Sequence, residues 1–249
     1  MRDTWRFAAL LVCAALPGAL AACGGDNGSD VSPTGAPAAT VTAEDRSAAE
    51  PLLKAAALVA GDLPEGFTFQ EEKFTTNGDE AEQESIVASA PTAQDLDQLG
   101  RILGYQAYYS RPAPATLTEA TVSFQIETDV YRDSKGADDH FELIRQMPSD
   151  PEFIRAIQEG DTESQVRDVM VSPISFAKVG DDRMAFELKF KVSRADLKSE
   201  LSFFTQIIGI RRGAGLGFMT VLAIGAPHPV DQLEDLARKL DERMKDALE

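Results

Sequence analysis

The sequence contains few of the side chains that carry chemistry or cross-links. Among its 249 residues are two cysteines, two histidines and one tryptophan. Both cysteines, Cys13 and Cys23, lie near the N-terminus. The rest of the chain therefore has no thiol that could form a disulfide, act as a nucleophile or bind zinc. We expect a hydrophobic core to supply its stability.

Positive charge is also scarce. The chain has 24 lysine and arginine residues against 41 aspartate and glutamate residues, which gives a formal net charge of −17. Nucleic acid and anionic lipid head groups would both repel a domain of this charge. We therefore expect no nucleic-acid partner and no domain lying flat on an anionic membrane surface.

The N-terminal segment has the organisation of a secretory signal. Arg2 and Arg6 precede an uncharged run from Phe7 to Ala22 that ends in small residues. This run of 16 residues is shorter than the roughly 20 apolar residues that a transmembrane helix needs. We predict that residues 1–22 are a cleaved signal peptide.

The end of this segment, LAAC (Leu20 to Cys23), resembles the lipobox of bacterial lipoproteins. The resemblance implies cleavage between Ala22 and Cys23 and a diacylglycerol on the sulfur of Cys23, so that fatty acyl chains such as palmitate hold the protein to the cell membrane. Residues 23–42 have little apolar surface and are predicted to be a flexible tether. Residues 43–249 are predicted to be one domain that faces outside the cytoplasm.

Hydrophobic periodicity in this domain predicts an α+β fold. Apolar residues alternate with polar ones at 122–130 and 184–192, as expected for strands with one face that is exposed or partly exposed to solvent. Residues 201–212 and 216–224 are apolar on both faces and predict a central hairpin. An apolar stripe follows Pro229 and predicts a long C-terminal helix. The predicted architecture is a mainly antiparallel β-sheet flanked by helices.

The remaining segments are assigned from local signals. We predict a strand at 66–76 that ends in an Asn77-Gly78 turn, followed by an acidic loop to Pro91. A helix capped by Thr92 is predicted to end at Gly104, where a strand begins. Further helices are predicted to start at Ser134 and at Asp150-Pro151, an alanine-rich helix is predicted at 43–60, and residues 165–175 are predicted to be extended.

Motifs for catalysis or for a cofactor are weak. The glycines of Gly213–Gly217 precede an apolar strand rather than a helix, so they indicate a hairpin turn rather than a phosphate loop. His140 and His228 are predicted to be surface or capping residues. The sequence has no G-x-S-x-G motif. We expect no cofactor and no catalytic residues.

An acidic segment offers one alternative for cation binding. Its sequence, NGDEAEQE (Asn77 to Glu84), lies near Glu71 and Glu72. Carboxylates of this kind bind hard cations, but the segment lacks the alternating oxygen ligands and closing glutamate of a calcium loop. A solvated charged face is the preferred interpretation, and no metal site is predicted.

A cluster of aromatic residues is the candidate ligand groove. Tyr105, Tyr108 and Tyr109 lie within five positions of one another, and Phe124 and Phe186 lie on predicted strands. Tyrosine offers an apolar ring and a polar tip, which suits a binding groove. The alternative, that these side chains fill a sheet face as part of the core, is preferred.

Several short sequence segments resemble those of a group of bacterial extracytoplasmic lipoproteins. They are LPEGF (63–67), LGRILGYQAYY (99–109), SFQIETDVYRDSKGADDHF (123–141) and VGDDRMAF (179–186). In the order of its predicted strands and helices, the chain is similar to PsbP-like domains and to the extracellular sensor domains of mycobacterial receptor kinases. The resemblance implies an antiparallel sheet flanked by helices. The kinase domains carry disulfides, which this domain cannot form, and no binding residue is carried over from them.

Three functions are compatible with these observations. The preferred hypothesis is a non-catalytic module, anchored by its lipid, that binds an unidentified ligand or an envelope protein. The second is a carrier of lipids or other apolar molecules, in which the apolar strand faces would line a cavity. The third is a hydrolytic enzyme, which would need a cleft with perturbed titratable groups.

The lipid anchor predicts the effect of one substitution. Cys23→Ser removes the sulfur that would carry the diacylglycerol, so the variant should lose the added mass and its membrane association should differ from that of the native form. The measurement is membrane fractionation with mass spectrometry of both forms. A variant that stays membrane-bound with the same mass would contradict the lipobox.

Overall fold

The protein is described by a computed structural model. The structure describes residues 41–84, 91–112, 119–159, 165–193 and 200–249. The predicted signal peptide and most of the predicted tether, including Ala22 and Cys23, lie outside these ranges. In the described ranges, no helix is both long and apolar enough to span a membrane.

Within the described residues, seven strands form one antiparallel sheet in the order β1-β2-β3-β7-β6-β5-β4. This confirms the predicted fold class. The strands are β1 (Thr68–Thr75), β2 (Arg101–Ser110), β3 (Ala120–Tyr131), β4 (Gln165–Pro173), β5 (Asp182–Ser193), β6 (Leu201–Arg212) and β7 (Gly215–Ile224).

Six α-helices flank this sheet in the described part of the chain. They are α1 (Ala43–Ala56), α2 (Asn77–Glu84), α3 (Ala93–Gln98), α4 (Ser134–Gln146), α5 (Pro151–Glu159) and α6 (Val230–Leu248). Two short 3₁₀ helices lie at Ala60–Asp62 and Met147–Ser149.

The main core lies between α1, α6 and one side of the sheet, which we call the first face. The apolar stripe predicted for α6 is buried there from Leu233 to Met244, beside Leu53 and Ala56 of α1. The strands contribute buried residues of β2, β3, β6 and β7 to the same cluster. Helix packing on this side therefore joins the two ends of the described chain.

The opposite side, the second face, is apolar over β5, β6 and β7. Phe186, Leu188 and Phe190 of β5 are buried there, as their alternation predicts. Helix α4 packs Phe141 into one cluster, and α5 packs Phe153 into another. The hairpin predicted between β6 and β7 is confirmed, with Arg212 opposite Gly215.

The acidic segment after β1 is a helix over Asn77–Glu84, so the predicted Asn77-Gly78 turn and the predicted loop are wrong there. The part of the predicted loop at 85–90 lies outside the described residues. Thr76 and Asp79 form reciprocal bonds, because the Asp79 carboxylate accepts from the Thr76 backbone N–H at 2.8 Å. The Thr76 hydroxyl oxygen accepts from the Asp79 backbone N–H at 3.3 Å. This capping arrangement satisfies backbone donors that begin a helix, and it outweighs the turn preference of Asn-Gly.

The next helix is shorter than predicted. Thr92 caps α3 through Asp95, as expected, but the helix ends at Gln98 and Gly104 lies inside β2 rather than at a helix end. Gly100 adopts φ +74°, a left-handed conformation that favours glycine and ends helices. The correct terminator is therefore Gly100.

Two local details also differ from prediction. A bulge between Thr121 and Ser123 shifts the register of β3, so Val122 joins the second-face core while Phe124 and Ile126 join the first. The N-cap of α4 is Asp133 rather than Ser134, because the Asp133 carboxylate accepts from the Gly136 backbone N–H at 2.9 Å.

Candidate functional site

A buried ionic cluster lies where α2 meets the ends of β1, β2 and β3. Its centre is Arg101, the first residue of β2, whose side chain is 0% exposed. Two acidic partners are nearly as buried, with 2% exposure at Asp129 and 8% at Glu80. Charged groups are buried at this depth only when they are paired and hydrogen-bonded.

The guanidinium of Arg101 is surrounded by acceptors. Its Nη2 donates to Asp129 Oδ1 at 2.7 Å and to Glu80 Oε2 at 2.9 Å. Its Nε donates to the same Asp129 oxygen at 3.1 Å. Thr75 accepts through both its carbonyl and its hydroxyl, and Asn77 accepts through Oδ1 at 3.2 Å. These bonds use the donors on every nitrogen of the guanidinium, so Arg101 is fixed within the fold.

Gly104 provides the space for this arrangement. A Cβ atom at this position would lie 2.2 Å from Arg101 Nη2, 2.4 Å from Asp129 Oδ1 and 2.5 Å from Thr75 Oγ1. Any side chain would displace all three groups. This close approach explains a glycine in the interior of a strand, where it otherwise weakens the sheet.

Glu127 adds a third carboxyl group beside those of Glu80 and Asp129. It lies two residues before Asp129 on the same side of β3 and opposite Gln106 of β2. The residue as a whole is half-buried, yet its Oε1 is shielded from solvent and has no hydrogen-bond partner. Burial raises the pKa of Glu127 well above its ordinary value, and the negative charges of Glu80 and Asp129 raise it further.

The same charges act in the opposite sense on Arg101. Burial alone would lower the pKa of the guanidinium, but Asp129 and Glu80 raise it above its ordinary value. Arg101 is therefore charged, whereas burial and the same negative charges favour the neutral form of Glu127 by raising its pKa. Oxygen atoms of Glu80, Glu127 and Asp129 lie within 4.8 Å of one another, which makes these three the residues able to hold a metal ion at this site.

A row of polar side chains continues from the cluster along the second face. On β2 and β3 the facing pairs are Gln106 with Glu127, Tyr108 with Gln125, and Ser110 with Ser123, and Thr220 of β7 lies opposite Gln125. We call these seven residues the polar strip. Tyr108, Ser110, Gln125 and Thr220 are half-buried, so they are partly accessible to a ligand. The strip lies beside the apolar half of the same face.

The residues predicted to form an aromatic groove do not lie together. Tyr105, Tyr109 and Phe124 belong to the first-face core, where the Tyr109 hydroxyl donates to the Leu58 carbonyl at 3.0 Å. Tyr108 lies on the second face in the polar strip. Phe186 is buried in the cluster under α4.

Both histidines are buried, so their prediction as surface or capping residues is wrong. His140 is 1% exposed and its Nδ1 shares a hydrogen bond with the Tyr131 hydroxyl. His228 is 6% exposed and its Nδ1 lies 2.7 Å from Thr121 Oγ1. Burial lowers the pKa of His228 to about 4, and the charge of Arg111 contributes. His228 is therefore neutral and serves the fold.

The ionic cluster itself is absent from the sequence-based prediction. Arg101 and Asp129 are 28 positions apart, and Arg101 and Glu80 are 21 apart. From the sequence, the acidic residues of 77–84 and of β3 are predicted to be solvated or partly solvated. The sequence pattern does not reveal that α2 packs over the ends of β1, β2 and β3. The Thr76-x-x-Asp79 spacing was the available signal for that helix.

The sequence matches no known family model. It also matches no curated protein. Among solved structures, the chain is similar to the extracellular domain of PknH from Mycobacterium tuberculosis. The TM-score is 0.43 at 11% identity, over 79% of this chain and 96% of that chain. An extracellular domain of a mycobacterial protein is one of the two resemblances stated from the sequence. The other resemblance, to PsbP-like domains, stays a prediction.

Removal of the guanidinium should destabilise the fold. Arg101→Met leaves Asp129 and Glu80 buried without a counter-charge, which typically costs about 3–5 kcal/mol. The matched control is Arg238→Met, because Arg238 pairs with Glu234 at the surface of α6 and such exposed pairs contribute only about 0–1 kcal/mol. Urea unfolding gives both values. Equal losses in the two variants would contradict a structural role for the cluster.

The raised pKa of Glu127 predicts a pH dependence. The folded state binds this proton more tightly than the unfolded chain, so the contribution of Glu127 is fully present below the unfolded pKa and is lost as pH rises through the folded one. Glu127→Gln should therefore unfold with a higher free energy than the native chain at alkaline pH.

Urea unfolding from about pH 5 to pH 9 covers the range of documented buried glutamates. The control is Glu71→Gln on exposed β1, which should follow the native curve. A native curve that runs parallel to that of Glu127→Gln over the whole range would show that Glu127 does not titrate abnormally.

Proposed function

We propose that the protein is a non-catalytic, extracytoplasmic binding module, anchored by a lipid on Cys23, whose ligand or protein partner contacts the polar strip. The observation that carries the proposal is the division of the second face. Its β5–β7 half is apolar and packs under α4 and α5, whereas its β2–β3 half is polar and partly accessible.

The chemistry of the strip suits a hydrogen-bonding ligand. Tyrosine, serine and threonine hydroxyls both donate and accept, and glutamine amides offer two donors and an acceptor. The one carboxyl group of the strip belongs to Glu127, where burial disfavours the charged form by raising the pKa. A neutral, hydrogen-bonding partner such as a peptide backbone or a saccharide fits this set better than a strongly charged one.

The carrier hypothesis has less support from the packing. The residues that would line an apolar cavity contact one another instead, since the rings of Phe190 and Phe203 stack at 5.6 Å and those of Phe67 and Phe124 meet edge to face at 4.8 Å. Leu188 is 2% exposed within the same second-face cluster as Phe190. These contacts are typical of a solid core.

The enzyme hypothesis also has less support. Glu127, whose pKa burial raises, belongs to a cluster in which Arg101 pairs with both Glu80 and Asp129 and ties them to the fold. Neither histidine is exposed, and His228 is held uncharged beside Phe124. We therefore favour recognition over catalysis.

Site-specific photocrosslinking in the cells that express the full chain tests the proposal. A benzophenone amino acid replaces Tyr108 in the strip and, as the control, Lys189, which is exposed on the first-face side of β5. We expect a discrete covalent adduct from position 108 and only background from position 189. Equal adducts at both positions, or none at position 108, would contradict the strip as the binding surface.

A further inference from the structure

The ionic cluster contains more negative charge than its guanidinium can neutralise. Glu80, Glu127 and Asp129 face one Arg101, so the ionised groups would carry a net charge of −2 in a buried site. Uncompensated charge of this size is strongly disfavoured away from water. The other group that contacts Glu127 is the amide of Gln106, which adds no positive charge.

The three carboxylates have the spacing of a cation site. One oxygen from each lies within 4.8 Å of the other two. Oxygen ligands lie 2.3–2.6 Å from Ca²⁺, so pairs of them are up to about 5 Å apart across the ion. Arg101 contacts Asp129 through Oδ1 and Glu80 through Oε2, and a carboxylate can bridge a guanidinium and a metal through its two oxygens.

The second observation is the buried Glu127 oxygen without a partner. Oε1 is shielded from solvent and accepts no hydrogen bond, although buried polar atoms are satisfied in most proteins. It is part of the same three-carboxylate group. A divalent cation would satisfy this oxygen and would bring the charge of the three carboxylates and Arg101 from −2 to zero.

We propose that Glu80, Glu127 and Asp129 form a binding site for a hard divalent cation of the Ca²⁺ class. Each carboxylate would give one oxygen to the ion, and the Glu127 oxygen without a partner would become a ligand. The site links α2 to β3, so the bound ion would strengthen the contact between these two elements that Arg101 already makes. The site shares Glu127 with the polar strip, but the calcium titration and the crosslink at position 108 test the two proposals separately.

Calorimetric titration of the full chain with CaCl₂ tests the site. The titration is run near neutral pH in about 0.15 M NaCl, which screens exposed acidic groups. We expect one saturable site with a dissociation constant of about 0.1–1 mM, the range of extracellular calcium modules.

Variants then assign the site. Glu127→Gln should fold and should weaken binding by roughly tenfold or more, because ligand charge sets affinity. Glu80→Gln gives a second measurement from a different element and should also weaken binding. The exposed control Glu71→Gln should bind as the native chain does. Native affinity in Glu127→Gln, or no saturable binding by the native chain well above the expected range, would overturn the proposal.

Discussion

The burial of Arg101 is the constraint on which one corner of the molecule depends. A guanidinium removed from water must place each of its donors against an acceptor, and the acceptors come from the end of β1, from α2 and from β3. Helix α2 has eight residues, NGDEAEQE, which is too short and too polar to dock through apolar packing. Its attachment therefore depends on Glu80 and Asn77 at the cluster.

This dependence connects the cluster to the surface that we propose for binding. Glu127 and Gln106 belong both to the cluster and to the polar strip, so the groups that hold α2 also fix one end of the strip. The strip lies mainly on the first three strands, whereas the apolar part of the second face is built by the last four. Recognition and core packing on this face are thus assigned to different stretches of the chain.

The elements with strong periodicity were predictable from sequence. The alternation of β5, the hairpin of β6 and β7 and the stripe of α6 appear in the structure as expected, because each reports burial within one continuous segment. The helix at α2 was not predicted, since the Asn-Gly pair suggested a turn.

The candidate site was less predictable than the fold. The cluster joins residues more than 20 positions apart, and Glu127 and Asp129 alternate with apolar neighbours in the manner of solvent-exposed residues. Their burial follows from the position of α2, and that position follows from Arg101. His140 and His228 were misplaced for the same reason, because burial of a polar residue depends on distant partners.

The strand order places two consecutive meanders side by side, β1 to β3 and β4 to β7, and the β3–β7 ladder joins them. That ladder pairs residues distant in sequence, from Val130 with Gly215 to Ala120 with Ile224. On the first face, α1 and α6 pack against each other across the same joint. The helices at the two ends of the folded domain thus reinforce the β3–β7 ladder, and shortening the chain into either helix would remove this second connection between the two meanders.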